Sequence, residues 1–241
     1  MKKADWNLWI RSKYTGRKRK DGIDMEETIF RQELQKRTTA IEDLLKQYLP
    51  AEEGYQKTVI EAMNYSLMAG GKRLRPMLMQ ETYRMLGGED DIIEPFMAAI
   101  EMIHTSSLVH DDLPCMDDDM MRRGKASTWA EYGEDIGVLT GDALMMYAFE
   151  TAANAFETSI DPDELSRIGR AMGILARKTG VYGMIGGQTV DVELAGGPIP
   201  GDKLEFIYRL KTGALIEASM LIGAVLGGAA EEDCKIVESL A

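Results

Sequence analysis

The 241-residue chain has only two cysteines, Cys115 and Cys234. Two are too few for a disulfide framework, and neither stands at zinc-ligand spacing from a partner. Nor is there an uncharged apolar run of the ~20 residues a membrane span needs. The longest such run, Ala218 to Ala230, is shorter, and Glu217 interrupts its upstream extension. Only Leu8-Trp9-Ile10 follows the basic start, so no secretion signal and no transmembrane segment are read, and a reducing, cytoplasmic location is expected. The chain also lacks a Pro/Gly/Ser-rich linker, internal repeats, low-complexity tracts and sustained two-residue alternation of β-branched residues. No nucleic-acid recognition motif is present, and the charge argues the same way. Residues 1–20 hold eight Lys/Arg and one Asp, net +7, against a total of −12, which leaves −19 on the remainder. An acidic body of this kind is soluble and a poor partner for nucleic acid.

What the sequence does contain is helical periodicity. Residues 1–24 read as a basic, disordered extension, and Met25 at their boundary leaves a misassigned start as an alternative to a functional tail. Asp24 with Glu27 forms a capping-box pattern that opens an amphipathic helix through Ile29, Leu34, Ile41, Leu44, Leu45 and Leu49. Further helices are expected at about 55–68, 76–86, 92–112, 133–157, 162–180, 183–194, 202–226 and from 231 onward, most of them bounded by Gly-Gly or Pro. The fold class expected from pattern alone is all-α, a helical bundle. A hydrophobic content of 45% is enough for a sizeable core.

The densest chemistry lies between His110 and Gly124. Asp111, Asp112, Asp117, Asp118 and Asp119 put five carboxylates into nine residues, followed by Arg122 and Arg123. On composition alone a run of Asp is a solvated loop. The residues upstream change that reading. Ile93, Phe96, Met97, Ile100, Ile103, Ser107 and Leu108 recur at helix spacing, and Pro114 ends the helix. Asp111 is thus expected at the C-terminal end of a buried helix, on one face with His104 and with Ser107 or Leu108. That end of the macrodipole disfavours a carboxylate, so a balancing cation is expected. Oxygen ligands without a cysteine or histidine pair suit Mg²⁺, and the paired arginines suit the phosphate oxygens that Mg²⁺ shares.

A second constellation is Gly70-Gly71-Lys72-Arg73-Leu74-Arg75-Pro76. Pro76 suits the first turn of a helix and should hold Arg75 extended, which would crowd Lys72, Arg73 and Arg75 at a helix N-terminus. Taken alone this reads more readily as a solvated loop. Beside a polyphosphate site it reads as a second diphosphate pocket. Gly141-Asp142-Ala143-Leu144, Gly186-Gly187-Gln188-Thr189-Val190-Asp191 and Lys211-Thr212-Gly213 complete the set. Gln188 and Asp191 share a helix face, Gly213 loosens a helix, and Asp142 reads as a helix-interior hydrogen-bonding residue.

In this order, across roughly residues 28 to 241, the motifs resemble those of the trans-isoprenyl diphosphate synthases, the farnesyl and geranylgeranyl diphosphate synthase family. The resemblance implies the isoprenoid synthase fold, with the aspartates at one end of a central cavity. It also implies condensation of isopentenyl diphosphate with an allylic diphosphate (dimethylallyl, geranyl or farnesyl) by a homodimer. Asp111 and Asp117 would hold Mg²⁺, three ions in a full-length enzyme. Lys72, Arg75, His104 and Arg123 would bind isopentenyl diphosphate, and Arg122, Lys211, Thr212 and Gln188 the allylic diphosphate. Asp111, Asp117, Arg122 and Lys211 would carry the catalytic charge. Many farnesyl-producing relatives have a bulky aromatic five residues before the first Asp. Ser106 stands there, with Ser107 beside it, which points to geranylgeranyl rather than farnesyl diphosphate as product.

The sequence also departs from the family. Met120 replaces a common acidic residue, and Trp129 stands where many relatives have His. The family's second aspartate-rich motif is expected beyond Ala241, so truncation of a longer enzyme is the favoured expectation. A non-catalytic partner subunit and a class I terpene cyclase are the alternatives. A cyclase has no use for a Lys72 and Arg75 pocket.

Overall fold

The computed structural model describes residues 25–241; the basic segment and the Asp24 cap lie outside them. The chain divides into two units, Met1–Ala40 and Ile41–Ala241. Helix α1, Met25–Gln47, belongs to both. Its portion in the first unit carries the i,i+4 ion pairs Glu27–Arg31 at 2.6 Å and Glu33–Arg37 at 2.9 Å. Exposed pairs of this kind contribute only about 0.3–0.5 kcal/mol each.

In the second unit α1 buries Ile41, Leu44 and Leu45 and stops at Gln47. Leu49 falls outside the helix because Pro50 disfavours helical backbone before it. Then come α2 Lys57–Leu67, α3 Leu74–Met85 and, after a 3₁₀ turn at Asp91–Ile93, α4 Glu94–Asp111. Asp90 caps the turn, its carboxylate accepting from the Ile92 N–H at 3.1 Å and the Tyr83 hydroxyl at 2.7 Å. The order continues with α5 Thr128–Tyr132, α6 Glu134–Ala153, α7 Ala155–Thr158, α8 Pro162–Thr179 and α9 Met184–Glu193. It closes with α10 Gly201–Ile207, a wide π-helical turn at Tyr208–Gly213, α11 Ala214–Leu226 and α12 Glu231–Leu240.

Helix α4 is the core. Every residue from Pro95 to Ile103 is buried, because α6 runs along it while α2, α3 and α11 close other sides. By length and composition it is the one helix among the described residues that could cross a membrane. Yet 72% of its apolar window is buried inside the protein, as befits a core helix.

Three expectations need correcting. The helix anticipated over 133–157 breaks at Asn154 into α6 and α7. The helix anticipated over 202–226 is interrupted by the π turn, which Gly213 ends. A short antiparallel pair, Met121–Arg122 with Lys125–Ala126, was not foreseen. Two residues per strand are too few to show alternation.

Candidate active site

The C-terminal end of α4 is built by its own following loop. After Pro114 the chain folds back, and the backbone N–H groups of Asp117, Asp118 and Asp119 donate to the carbonyls of Asp111, Leu113 and Asp112 at 2.8, 3.1 and 3.1 Å. These bonds satisfy helix-end carbonyls that would otherwise be orphaned. The five aspartates therefore gather at one helix end, with Asp112 turned inward and Asp117 to Asp119 exposed. Two of the protein's own cations lie against them. Arg122 Nε donates to Asp112 Oδ1 and Oδ2 at 2.8 and 2.7 Å. Asp111 accepts from Gln188 Nε2 at 2.5 Å and faces Lys211 Nζ at 3.9 Å. Burial pushes the Asp111 carboxyl upward against the pull of Lys211. The hydrogen bond to Asp112 raises Arg122.

The glycine-rich loop differs from its expected form. Helix α3 begins at Leu74, so Arg75 lies in its first turn rather than extended. Pro76 is tolerated there because first-turn N–H groups have no helical acceptor. Arg73 has φ 50° and its side chain is fully buried. Its Nη1 lies 2.8 Å from Glu101 Oε1, and its Nη2 donates to the Leu67 carbonyl at 2.7 Å. Lys72 stays exposed on the loop. Arg75 lies on the cavity wall, and its Nε is buried without a hydrogen-bond partner. Burial holds its guanidinium below the ordinary arginine range.

Gly71, at φ +147°, admits the Arg123 guanidinium, whose Nη1 would lie 2.6 Å from any added Cβ. This contact joins the glycine-rich loop to the aspartate-rich segment. Among the described residues the non-glycine positive φ values fall at Arg73, Asp118 and Arg123, all within these two motifs. Strained backbone of this kind clusters where the surroundings must over-determine a site.

His104 projects from α4 among these arginines. Burial, then Arg75, Arg123, Arg73 and Arg122, depress its pKa from 6.5 to about 3, so the imidazole is neutral. On the opposite wall Gly187 lets α9 meet the π turn closely, since a Cβ there would collide with the Lys211 backbone nitrogen. Single π turns inside helices recur at functional sites, and this one carries Lys211 and Thr212.

These parts enclose one cavity of about 810 Å³. Arg75, His104, Ser107, Asp111, Gln188, Lys211 and Thr212 line it, and its remaining wall is largely apolar. Arg122 and Arg123 instead line a small neighbouring pocket with Asp112. Asp142, expected inside its helix, is 66% exposed and lies 3.6 Å from His110 Nε2. Ser106 is not on the cavity wall: it is fully buried and its hydroxyl donates to the Gly141 carbonyl at 2.7 Å. The expected length-setting position therefore turns towards α6, one helical step away from Ser107, which does face the cavity. Met120 is exposed, and Trp129 Nε1 donates to the Asp119 carbonyl at 3.0 Å.

Among the described residues no three His, Cys, Asp or Glu side chains converge into a ready-made metal cage. Asp111 and Asp117, tied by a backbone bond at one helix end, suit a hard cation that keeps waters and shares phosphate oxygens. Asp112 is already saturated by Arg122. Among the pairings missed from sequence are Arg73–Glu101 and Asp191–Lys211. The first had a signal, since one carboxylate amid Ile100, Met102 and Ile103 must find a buried partner.

Residues 56–241 match the polyprenyl synthetase family. The chain is 46% identical over 184 residues to the heterodimeric geranylgeranyl pyrophosphate synthase large subunit 1, chloroplastic, of Arabidopsis thaliana, covering 75% of this chain and 49% of that protein. It thus spans about half the length of the plant relatives it matches. It is 41% identical over 205 residues to the farnesyl diphosphate synthase of Geobacillus stearothermophilus, covering 85% of this chain and 68% of that one. The crystal structure of an FPP/GFPP synthase from Zymomonas mobilis superposes with a TM-score of 0.80 at 31% identity, over 88% of this chain and 76% of the other. With its all-α architecture and its matched motifs, the chain belongs to the polyprenyl synthetase family.

Proposed function

We propose that the protein is a Mg²⁺-dependent prenyltransferase that joins isopentenyl diphosphate to an allylic diphosphate, giving geranylgeranyl or farnesyl diphosphate. The observation that carries the reading is a single cavity with an acidic end at Asp111 and a wall bearing the Arg75 guanidinium and the neutral His104 imidazole. Mg²⁺, held by Asp111 and Asp117, supplies when bound the positive charge that neutralises a leaving diphosphate. Lys211 adds a preorganised ammonium on the same leaving group, with Gln188 and Thr212 beside it. Arg122, fixed on Asp112, contributes positive charge from behind the aspartates. Arg75, Lys72, Arg123 and the neutral imidazole of His104 hold the isopentenyl diphosphate, and the apolar wall receives the growing tail and excludes water. Holding both substrates in one pocket converts an encounter of two molecules into a step within one complex. A buried arginine pocket beside the acidic end favours this reading over a class I terpene cyclase.

We extend the proposal to a homodimer in a reducing, cytoplasmic compartment. Exposed Leu139 and Met146 on α6 offer an apolar face for a second copy, and both cysteines are unpaired.

The test is calorimetry with each substrate, with and without Mg²⁺. Isopentenyl diphosphate, facing cations only, should bind without metal. A non-ionising allylic diphosphate analogue should need Mg²⁺, and Asp111→Ala or Asp117→Ala should abolish this Mg²⁺-dependent binding. Metal-independent binding of the analogue, or no binding of either compound, overturns the reading.

A further inference from the structure

Asp191, on α9, places its Oδ2 2.6 Å from Lys211 Nζ, whereas Asp111 Oδ2 lies at 3.9 Å. The ammonium is thus held by a carboxylate that the substrate reading leaves unused, and it only faces the one that reading needs. The backbone explains how. Gly187 brings α9 against the π turn at Lys211 itself, and Asp191 stands one helical turn further on the same face. The two side chains are 33% and 29% exposed, sheltered between helix and turn, and Lys211 lies on the cavity wall.

We propose that Asp191 is a positioning residue that tethers the Lys211 ammonium at the cavity wall, so that an incoming diphosphate meets a cation already in place. A free lysine side chain must surrender rotamer freedom when it binds an anion, and a tether removes most of that loss beforehand. An ammonium has three N–H donors. One on Asp191 leaves two for an anion. The identity of the anion rests on the proposed function; the tether does not.

Two measurements on the folded 241-residue chain separate them. The first is the rate at which an amine-acylating reagent modifies Lys211, followed by peptide mass spectrometry in wild type, Asp191→Asn and Asp191→Ala. Both variants should react several-fold faster, with unchanged circular dichroism. The second is calorimetry with inorganic pyrophosphate and Mg²⁺. Asp191→Ala should weaken binding about tenfold, the scale of one charge-assisted hydrogen bond. Asp191→Asn should weaken it less, and Asp191→Ala should add no further loss once Lys211→Ala is present. Unchanged acylation, or additive losses in the double variant, overturns the tether. Faster acylation in a chain that never binds pyrophosphate overturns the proposed function and supports the tether.

Discussion

Arg73 and Glu101 form a salt bridge in which the two side chains are 0% and 2% exposed, with Nη1 and Oε1 2.8 Å apart. The pair fastens the loop before α3 to the middle of α4, and Glu42 adds a weaker contact to Arg73 Nε at 3.7 Å. Two charges taken from water attract strongly enough to offset their desolvation only while both remain.

Removing one partner leaves an uncompensated buried charge. Glu101→Ala should therefore lower unfolding stability by about 3–5 kcal/mol in urea denaturation. Replacing both residues, as Arg73→Met with Glu101→Leu, should cost markedly less than the single change. If the single variant melts like wild type, the pair does not hold the loop.

His104 sets a pH dependence whose sign follows from its environment. The folded imidazole titrates at about 3 and the unfolded one near 6.5, so between these values the unfolded chain binds more protons. Its contribution to stability is fully present above about pH 6.5 and is lost as pH falls towards 3. The loss is at most about 1.4 kcal/mol per pH unit. Asp111, whose pKa is raised by burial, works in the opposite direction. Urea midpoints between pH 7 and 4 should fall less steeply in His104→Gln than in wild type, and equal slopes would refute the assignment.

Gly187 has a backbone neighbour that cannot swing aside. Gly187→Ala should part α9 from the π turn at a cost of about 1–3 kcal/mol. The Gln188 and Lys211 contacts to Asp111 should loosen with it, so affinity for Mg²⁺-pyrophosphate should drop together with the melting temperature. A stable variant with normal affinity would show that the close approach is dispensable.

Ser106 and Ser107 should behave differently when enlarged. Ser106→Tyr forces a ring into a fully packed contact with the Gly141 carbonyl, and its main effect should be a lower melting temperature. Ser107→Tyr places the ring on the cavity wall and should shorten the longest prenyl diphosphate accepted by about one five-carbon unit. Calorimetry with allylic analogues of increasing length reads this directly. Shortening by Ser106→Tyr without loss of stability would restore the original assignment.

Helix positions and the end of α4 at Asp111 were legible from the sequence because each depends on neighbours a few residues apart. Apolar period, proline stops and glycine pairs act over one or two turns. Periodicity also marked α4 as buried, since its apolar positions circle the helix. What only the tertiary structure decided was partnership. Whether an arginine in Gly70–Pro76 faces a bound phosphate or one of the protein's own carboxylates depends on Glu101, 28 residues from Arg73. Gln188 reaches Asp111 across 77 residues, and Lys211 meets Asp191 across 20. Ser106 and Ser107 are adjacent in sequence yet face a packed helix and a cavity, because one residue on a helix turns a side chain by about 100°. Local spacing chooses the elements. The long-range contacts that give each charge an opposite partner exist only once those elements pack.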